Sequence, residues 1–163
     1  LLAIILSFAW PLPLALTAPT DRQPVKVLDR DGKLLYEARQ SDFGAQEYLP
    51  LEKIPTDVIT ILLAVEDKTF YTHLGISPRG IMRAAWQNLT EGRVVSGGST
   101  ITQQLVRNRL QPKKRGYWYK LKETLLALKL ETRMSKNEIL EAYLNSVYFG
   151  HQAYGIQAAA RTY

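Results

Sequence analysis

Glu66 to Gly75 reads E-D-K-T-F-Y-T-H-L-G, and further along Gly97 to Gln104 reads G-G-S-T-I-T-Q-Q. The first block closes an apolar run in which Val58, Ile59, Leu62, Leu63 and Val65 recur at helical spacing, behind a helix-opening Pro55. It therefore sets two adjacent carboxylates at a helix end. The second block sets small hydroxyl and amide side chains behind two glycines at the start of another helix, where backbone N–H groups favour anions. A carboxylate that takes a proton, facing a polar cradle for a sugar or a phosphate, is the layout of a glycosyl-transfer site. Everything after Pro55 reads as helix and loop, so the fold is mainly α.

Outward from these blocks the punctuation is regular. Ser77 caps a helix with Pro78 in its first turn, which runs to about Glu91 and stops at Gly92. Ser99 or Thr100 starts the next helix. A basic break over 111–117 precedes a long helix from about Trp118 to Met134. Ser135-Lys-Asn-Glu138 is a capping box that opens a helix carrying Ile139, Leu140, Tyr143 and Leu144. Tyr148-Phe-Gly150 closes it, and a last helix begins near Ala153. Before Pro55 lies a short β-hairpin, Val25–Leu28 and Lys33–Tyr36, turned by Asp29-Arg-Asp-Gly32.

The chain's 163 residues, 46% hydrophobic and 22% charged, suffice for one domain with a core and argue against disorder. The absence of cysteine excludes disulfides and thiolate metal sites. A formal charge of +6 suits nucleic acid, anionic lipid or phosphorylated substrate equally. The basic residues are not interleaved with a stripe of stacking aromatics, so a nucleic-acid partner is set aside. Residues 1–20 carry no charge. They read as the outer half of a transmembrane signal-anchor whose beginning is cut off, with a cleaved signal peptide or a buried element as alternatives. Arg22, Lys26 and Arg30 slightly oppose an outside location for the residues C-terminal to them. The expected division is a signal-anchor over 1–20, a β-rich lead-in over 21–48 and a helical domain over 49–163, itself cut short at its C-terminus.

Each candidate residue has a functional and a plainer reading. Glu66 beside Asp67 suits a general base, since burial and like charge shift one carboxylate; the plainer reading is a surface acidic pair. His73 orients a carboxylate or a loop, and Phe70 anchors that loop by packing. Ser99 is an anion donor, a plain N-cap, or both. Thr102, Gln103 and Gln104 are polar where a core-facing helix would be apolar, and Arg107 lies on the same side as Gln104, where it can meet a phosphate. Lys120 and Glu123 share one helix face. They are either an exposed ion pair or a cation for a diphosphate leaving group beside a second carboxylate. Lys113, Lys114 and Arg115 form a solvated basic loop or meet lipid head groups.

Together these blocks, with K-L-K-E-T-L-L-A-L-K-L-E at 120–131, S-K-N-E-I-L-E-A-Y-L-N-S-V-Y-F-G at 135–150 and the following G-I-Q-A-A-A, resemble the family 51 glycosyltransferases. These are the peptidoglycan polymerase domains of class A penicillin-binding proteins and their monofunctional relatives. The stretch Ala84–Gly97 looks like the penicillin-binding protein 1C type, while G-G-S-T-I-T-Q-Q is closer to other class A members. The resemblance implies a lysozyme-like, two-lobed domain whose smaller lobe, around 72–93, dips into the membrane. It implies polymerisation of lipid II into β-1,4-linked glycan strands, with inversion and release of polyprenyl diphosphate, on the outer face of the bacterial plasma membrane. Glu66 matches the catalytic base and Glu123 the second essential carboxylate. Lys120 matches the cation on the diphosphate, and Ser99, Thr100, Gln104 and Arg107 match the donor-site cradle. Asp67, Phe70 and His73 match positions that shape the cleft. No cofactor is implied as a requirement, although a divalent metal, Mg or Mn, on the diphosphate is compatible. The implied partners are lipid II, the growing glycan strand, the membrane and other cell-wall synthesis proteins. Two departures stand out: Tyr119 precedes Lys120 where the family often has arginine, and Arg107 stands where lysine is also common. The competing readings are a lysozyme-like hydrolase or lytic transglycosylase using Glu66 as an acid, and a membrane-tethered scaffold without catalysis.

Overall fold

Helix-spaced apolar runs, each with its own start signal, become seven α-helices in the computed structural model, which describes residues 11–17, 25–38, 48–93, 97–112, 114 and 116–163. Most of the expected signal-anchor lies outside these residues, as do Lys113 and Arg115. Among the described residues no helix is long and apolar enough to cross a membrane. The described part of that segment holds one turn, α1 (Leu14–Thr17).

The hairpin forms as β1 (Val25–Leu28) and β2 (Leu34–Ala38), antiparallel, with Val25 opposite Ala38 and Val27 opposite Tyr36. Asp29 Oδ1 accepts from the N–H groups of Asp31 (2.9 Å) and Lys33 (2.8 Å), and Gly32 supplies φ +80°.

Helix α2 (Thr56–Glu66) begins just after Pro55. Val58, Ile59, Leu62 and Leu63 pack against the core, but Val65 is 74% exposed, against the expected apolar face. The last turn, Ala64 to Glu66, is exposed throughout, so it carries its residues past the core. Helix α3 (Pro78–Thr90) is capped by Ser77, whose Oγ accepts from the Gly80 N–H at 3.0 Å. For α4 (Ile101–Leu110) the N-cap is Thr100 and not Ser99, in a reciprocal capping box with Gln103. Helix α5 (Tyr117–Glu131) ends one turn earlier than Met134. Helix α6 (Lys136–Leu144) has the expected Ser135–Glu138 box, and α7 (Ile156–Thr162) starts after Gly155, later than the spacing suggested.

The central element is α4, packed between α5 and α6 and touched by α1. Ile101, Leu105 and Val106 meet Ala127 and Leu130 of α5 and Ile139, Leu140 and Leu144 of α6 in one core, all fully buried. Burying one such side chain contributes roughly 1.5–3 kcal/mol. The chain before α2 is tied to α6 by polar bonds. Asn145 accepts from the Leu49 N–H (2.8 Å) and donates to its carbonyl (2.9 Å). Glu141 accepts from the Leu51 N–H (2.7 Å) and the Tyr48 hydroxyl. That last bond pushes the Tyr48 phenol up to about 12. On the other side, Arg109 Nη1 donates to the Leu16 carbonyl (3.1 Å), where the Leu16 side chain is fully buried.

The link between α6 and α7 is a tight turn. Phe149 N–H donates to the Ala153 carbonyl (2.9 Å), and His151 and Gln152 both take left-handed backbone angles, φ 45° and 60°. Gly155 has φ 85° and ψ 156°, a region that essentially only glycine occupies, and an added Cβ would lie 3.0 Å from the Asn145 carbonyl oxygen. The two ends of this turn respond in opposite directions to substitution. Gln152→Gly relieves left-handed strain of about 1–2 kcal/mol but costs about 0.5–1 kcal/mol through the freer unfolded chain, so the net stabilisation is roughly 0.5–1 kcal/mol. Gly155→Ala destabilises by about 2 kcal/mol. Denaturant melts of both variants check this; a Gly155→Ala protein as stable as the parent contradicts it.

Candidate active site

The Glu66–Gly75 segment is held from inside by one carboxylate. Asp67, 6% exposed, sits just past the end of α2. Its Oδ2 accepts from His73 Nε2 at 2.8 Å and from the Ile101 N–H at 3.2 Å. The Gly75 N–H donates to His73 Nδ1 (3.1 Å), so Nδ1 is the acceptor and the proton facing Asp67 is on Nε2. Ile101 opens α4, whose N-terminal N–H groups and dipole favour a negative charge at that point. Thr100 completes the tie. Its hydroxyl donates to the Gly75 carbonyl (2.7 Å) and accepts from the Gln103 N–H (3.2 Å). Gly75 itself has φ 81° and packs against the Ala127 carbonyl, which a Cβ would approach to 3.0 Å.

This arrangement divides the two acidic neighbours. Both line a cleft of about 130 Å³, but the Asp67 carboxylate is taken up by His73 and the Ile101 N–H, while Glu66 stands on the exposed last turn. Glu66 Oε2 accepts from Gln104 Nε2 at 2.8 Å, and Gln104 Oε1 accepts from the Tyr143 hydroxyl at 3.2 Å.

The same cleft is lined by Gly97, Gly98, Ser99 and Thr100. Ser99 Oγ accepts from Lys120 Nζ (2.9 Å), and Lys120 also pairs with Glu123. The pair is unequal: Glu123 is 1% exposed, whereas half of the Lys120 side chain is open to solvent. A buried carboxylate thus anchors a cation that reaches the cleft wall through Ser99. Gly98 lets this wall approach α3, since a Cβ there would come within 2.9 Å of Ile81 Cα.

Of the residues singled out from sequence, the structure brings Glu66, Asp67, Ser99 and Thr100 to the cleft lining and links Gln104, Lys120 and Glu123 to it through side-chain bonds. It gives several others work within the protein. Phe70, 1% exposed, packs edge-on to Tyr71 at 5.1 Å with Lys136 Nζ 4.5 Å from its ring centroid. Thr102 and Gln103 are buried and bonded to α5, the first to Glu131 (2.6 Å) and the second to Thr124 (3.1 Å). Their polarity, read as a substrate cradle, satisfies helix-to-helix contacts. Arg107 is half-buried, and its charge acts on the Tyr143 phenol against that of Glu66. The sequence reading missed Lys68, Arg79 and Arg83, which line the cleft and add three cations to it. The spacing of α3 did carry a signal, because Arg79 and Arg83 are i, i+4 on one face. Among the described residues no group of three or more His, Cys, Asp or Glu comes together to hold a metal ion.

The cleft thus combines a buried loop-holding carboxylate, an exposed acid and several cations. Residues 31–163 match the family model described as Transglycosylase, and the chain belongs to that family. Relatives include penicillin-binding protein 1A of Aquifex aeolicus, 43% identical over 155 residues, that of Pseudomonas aeruginosa, 44% over 142, and that of Escherichia coli, 41% over 142. All three carry the 1A name and not the 1C type that Ala84–Gly97 suggests. The alignments cover 94%, 86% and 86% of this chain but 21%, 17% and 16% of the relatives, so the chain spans about a fifth of their length.

Replacing Asp67 tests the inner tie. Asp67→Asn puts an amide where two donors converge and removes charge-assisted bonds, so stability falls by about 2 kcal/mol. A melting temperature equal to the parent's contradicts the assignment.

Proposed function

We propose that this chain carries a peptidoglycan glycosyltransferase domain that polymerises lipid II into β-1,4-linked glycan strands, inverting the anomeric carbon and releasing polyprenyl diphosphate. The observation that carries the reading is that Glu66 and Ser99 line one cleft, with Ser99 bonded to Lys120 and Lys120 paired with buried Glu123. Glu66 takes the proton of the acceptor sugar's 4-hydroxyl. The freed oxygen attacks the donor's anomeric carbon, and the bond from that carbon to the diphosphate breaks with its electron pair on the leaving oxygen. Cations on the far wall stabilise the growing negative charge, where preorganised positive groups lower the barrier most. Lys120 is fixed for that task by buried Glu123, which would be left uncompensated without it. Ser99, Arg79 and Arg83 supply further donors at the wall.

A polyprenyl substrate needs a site at a membrane, and two exposed apolar surfaces support such docking. On α3, Met82, Trp86 and Leu89 follow i, i+4, i+7 spacing and are each at least two-thirds exposed. On α5, Tyr117 and Trp118 are almost fully exposed. Apolar and aromatic groups beside arginines suit a head-group boundary. Residues 72–93, which include α3, are the proposed smaller lobe of a two-lobed, lysozyme-like domain. Residues 1–20 are the proposed anchor, with the catalytic domain on the outer face of the bacterial plasma membrane. Other cell-wall synthesis proteins are its proposed partners.

Glu66→Gln in the full chain keeps the fold but lowers the rate of lipid II polymerisation by roughly a thousandfold or more, because the base is lost while its shape remains. Gel analysis of labelled lipid II products measures this. Polymer formation at near the parent's rate would remove Glu66 from the mechanism, and cleavage of finished glycan without polymer would favour a hydrolase.

A further inference from the structure

We infer that Tyr143 is a positioning residue for the reaction, setting the direction of the Glu66 carboxylate through the side-chain amide of Gln104. Nothing in the sequence singles it out for this: by spacing, Tyr143 is one of four apolar residues of α6. The inference rests on the glycosyl-transfer reading, in which Glu66 is the base.

The geometry is a directed relay across three helices. The Tyr143 hydroxyl, on α6, donates to Gln104 Oε1 at 3.2 Å, and Gln104 Nε2, on α4, donates to Glu66 Oε2 at 2.8 Å, at the end of α2. A glutamine amide has an acceptor end and a donor end, and it can present either one to a neighbour. A carboxylate needs the donor end. The carboxylate, an acceptor only, takes the NH2 end, and the phenol's proton on Oε1 then holds the amide at its other end, so that both ends are fixed. The phenol is well suited to the task. Tyr143 is 2% exposed, and burial, followed by the Glu66 charge, pushes its proton loss well above the ordinary tyrosine range. It therefore stays a donor throughout the range in which a carboxylate base works.

The relay also answers a structural problem. Glu66 stands on the exposed last turn of α2, where little packing limits its rotamers. A free glutamate side chain samples many directions. Among the described residues the amide is the one hydrogen-bond partner of the Glu66 side chain, and it is itself fixed by a buried ring in the core. Ordering of the base is thereby transmitted from the packed centre of α6 to the cleft. A misplaced base lowers turnover more than it lowers substrate affinity.

The test uses the full chain with lipid II and the variants Tyr143→Phe, Gln104→Ala and their double. Tyr143→Phe keeps the ring and its packing, so its melting temperature stays close to the parent's. We expect kcat to fall about tenfold, the size of one net hydrogen bond, with KM changed less than about twofold. Gln104→Ala lowers kcat at least as far, and adding Tyr143→Phe to it lowers kcat no further, since both changes break one relay. Multiplicative losses in the double variant overturn the proposal, as does a Tyr143→Phe enzyme with the parent's kcat. If Tyr143→Phe melts early, the Gln104→Ala variant decides: a parent-like kcat there overturns the relay. A parent protein that makes no polymer defeats the functional reading itself, an outcome distinct from these.

Discussion

One buried carboxylate sets the geometry of the site. Asp67 binds the imidazole of its own loop and the first N–H of α4 with the same oxygen, and so fixes where α2 ends relative to where α4 begins. Isolated, that charge would be strongly disfavoured in the interior. Here two donors and a helix N-terminus offset the desolvation, and the cost of any other arrangement holds the loop in register. Because Asp67 must face inward, its neighbour Glu66 on the exposed last turn is free to face the cleft. The acid pair is therefore not two equivalent groups sharing a proton. One member holds the loop and the other is left open to the cleft.

The same division runs through the surrounding polar residues. Glu131 accepts from Thr102 and pairs with Lys136, whose ammonium also lies over Phe70. Glu123 anchors Lys120. In each case a nearly buried carboxylate holds a cation or a hydroxyl, and the outermost member of the set presents itself to the loop or the cleft. Such pairs add little net stability, but removal of one member leaves a buried charge unmatched. Their value here is direction: long, flexible lysine side chains acquire a defined position.

Local signals in the sequence are legible because they act over a few residues. The Asp29–Gly32 turn, the Ser77 cap with Pro78 and the Ser135–Glu138 box appear where the spacing puts them. The apolar spacing of α6 likewise marks four buried residues. Sequence reasoning fails where tertiary contacts decide. Val65 matches the apolar spacing of α2, yet that turn overruns the core. Thr102 and Gln103 look like ligand donors because their true partners, Glu131 and Thr124, are on a helix whose packing angle the sequence does not state. Arg79 and Arg83 escape notice because a helix face has no address until its neighbour is known. The roles of Glu123 and Lys120 rest on resemblance; spacing alone leaves them an ordinary pair.

The central claim is spatial: an acceptor alcohol lies against Glu66 while the departing diphosphate lies against the wall built on Lys120 and Ser99. The most direct measurement is a crystal structure of the full chain with a lipid II analogue that binds but does not react. The account predicts the acceptor 4-hydroxyl within about 3 Å of a Glu66 carboxylate oxygen, and diphosphate oxygens on the Lys120 side of the cleft. An analogue bound with its diphosphate against Glu66, or with its sugar hydroxyl far from that carboxylate, would contradict it.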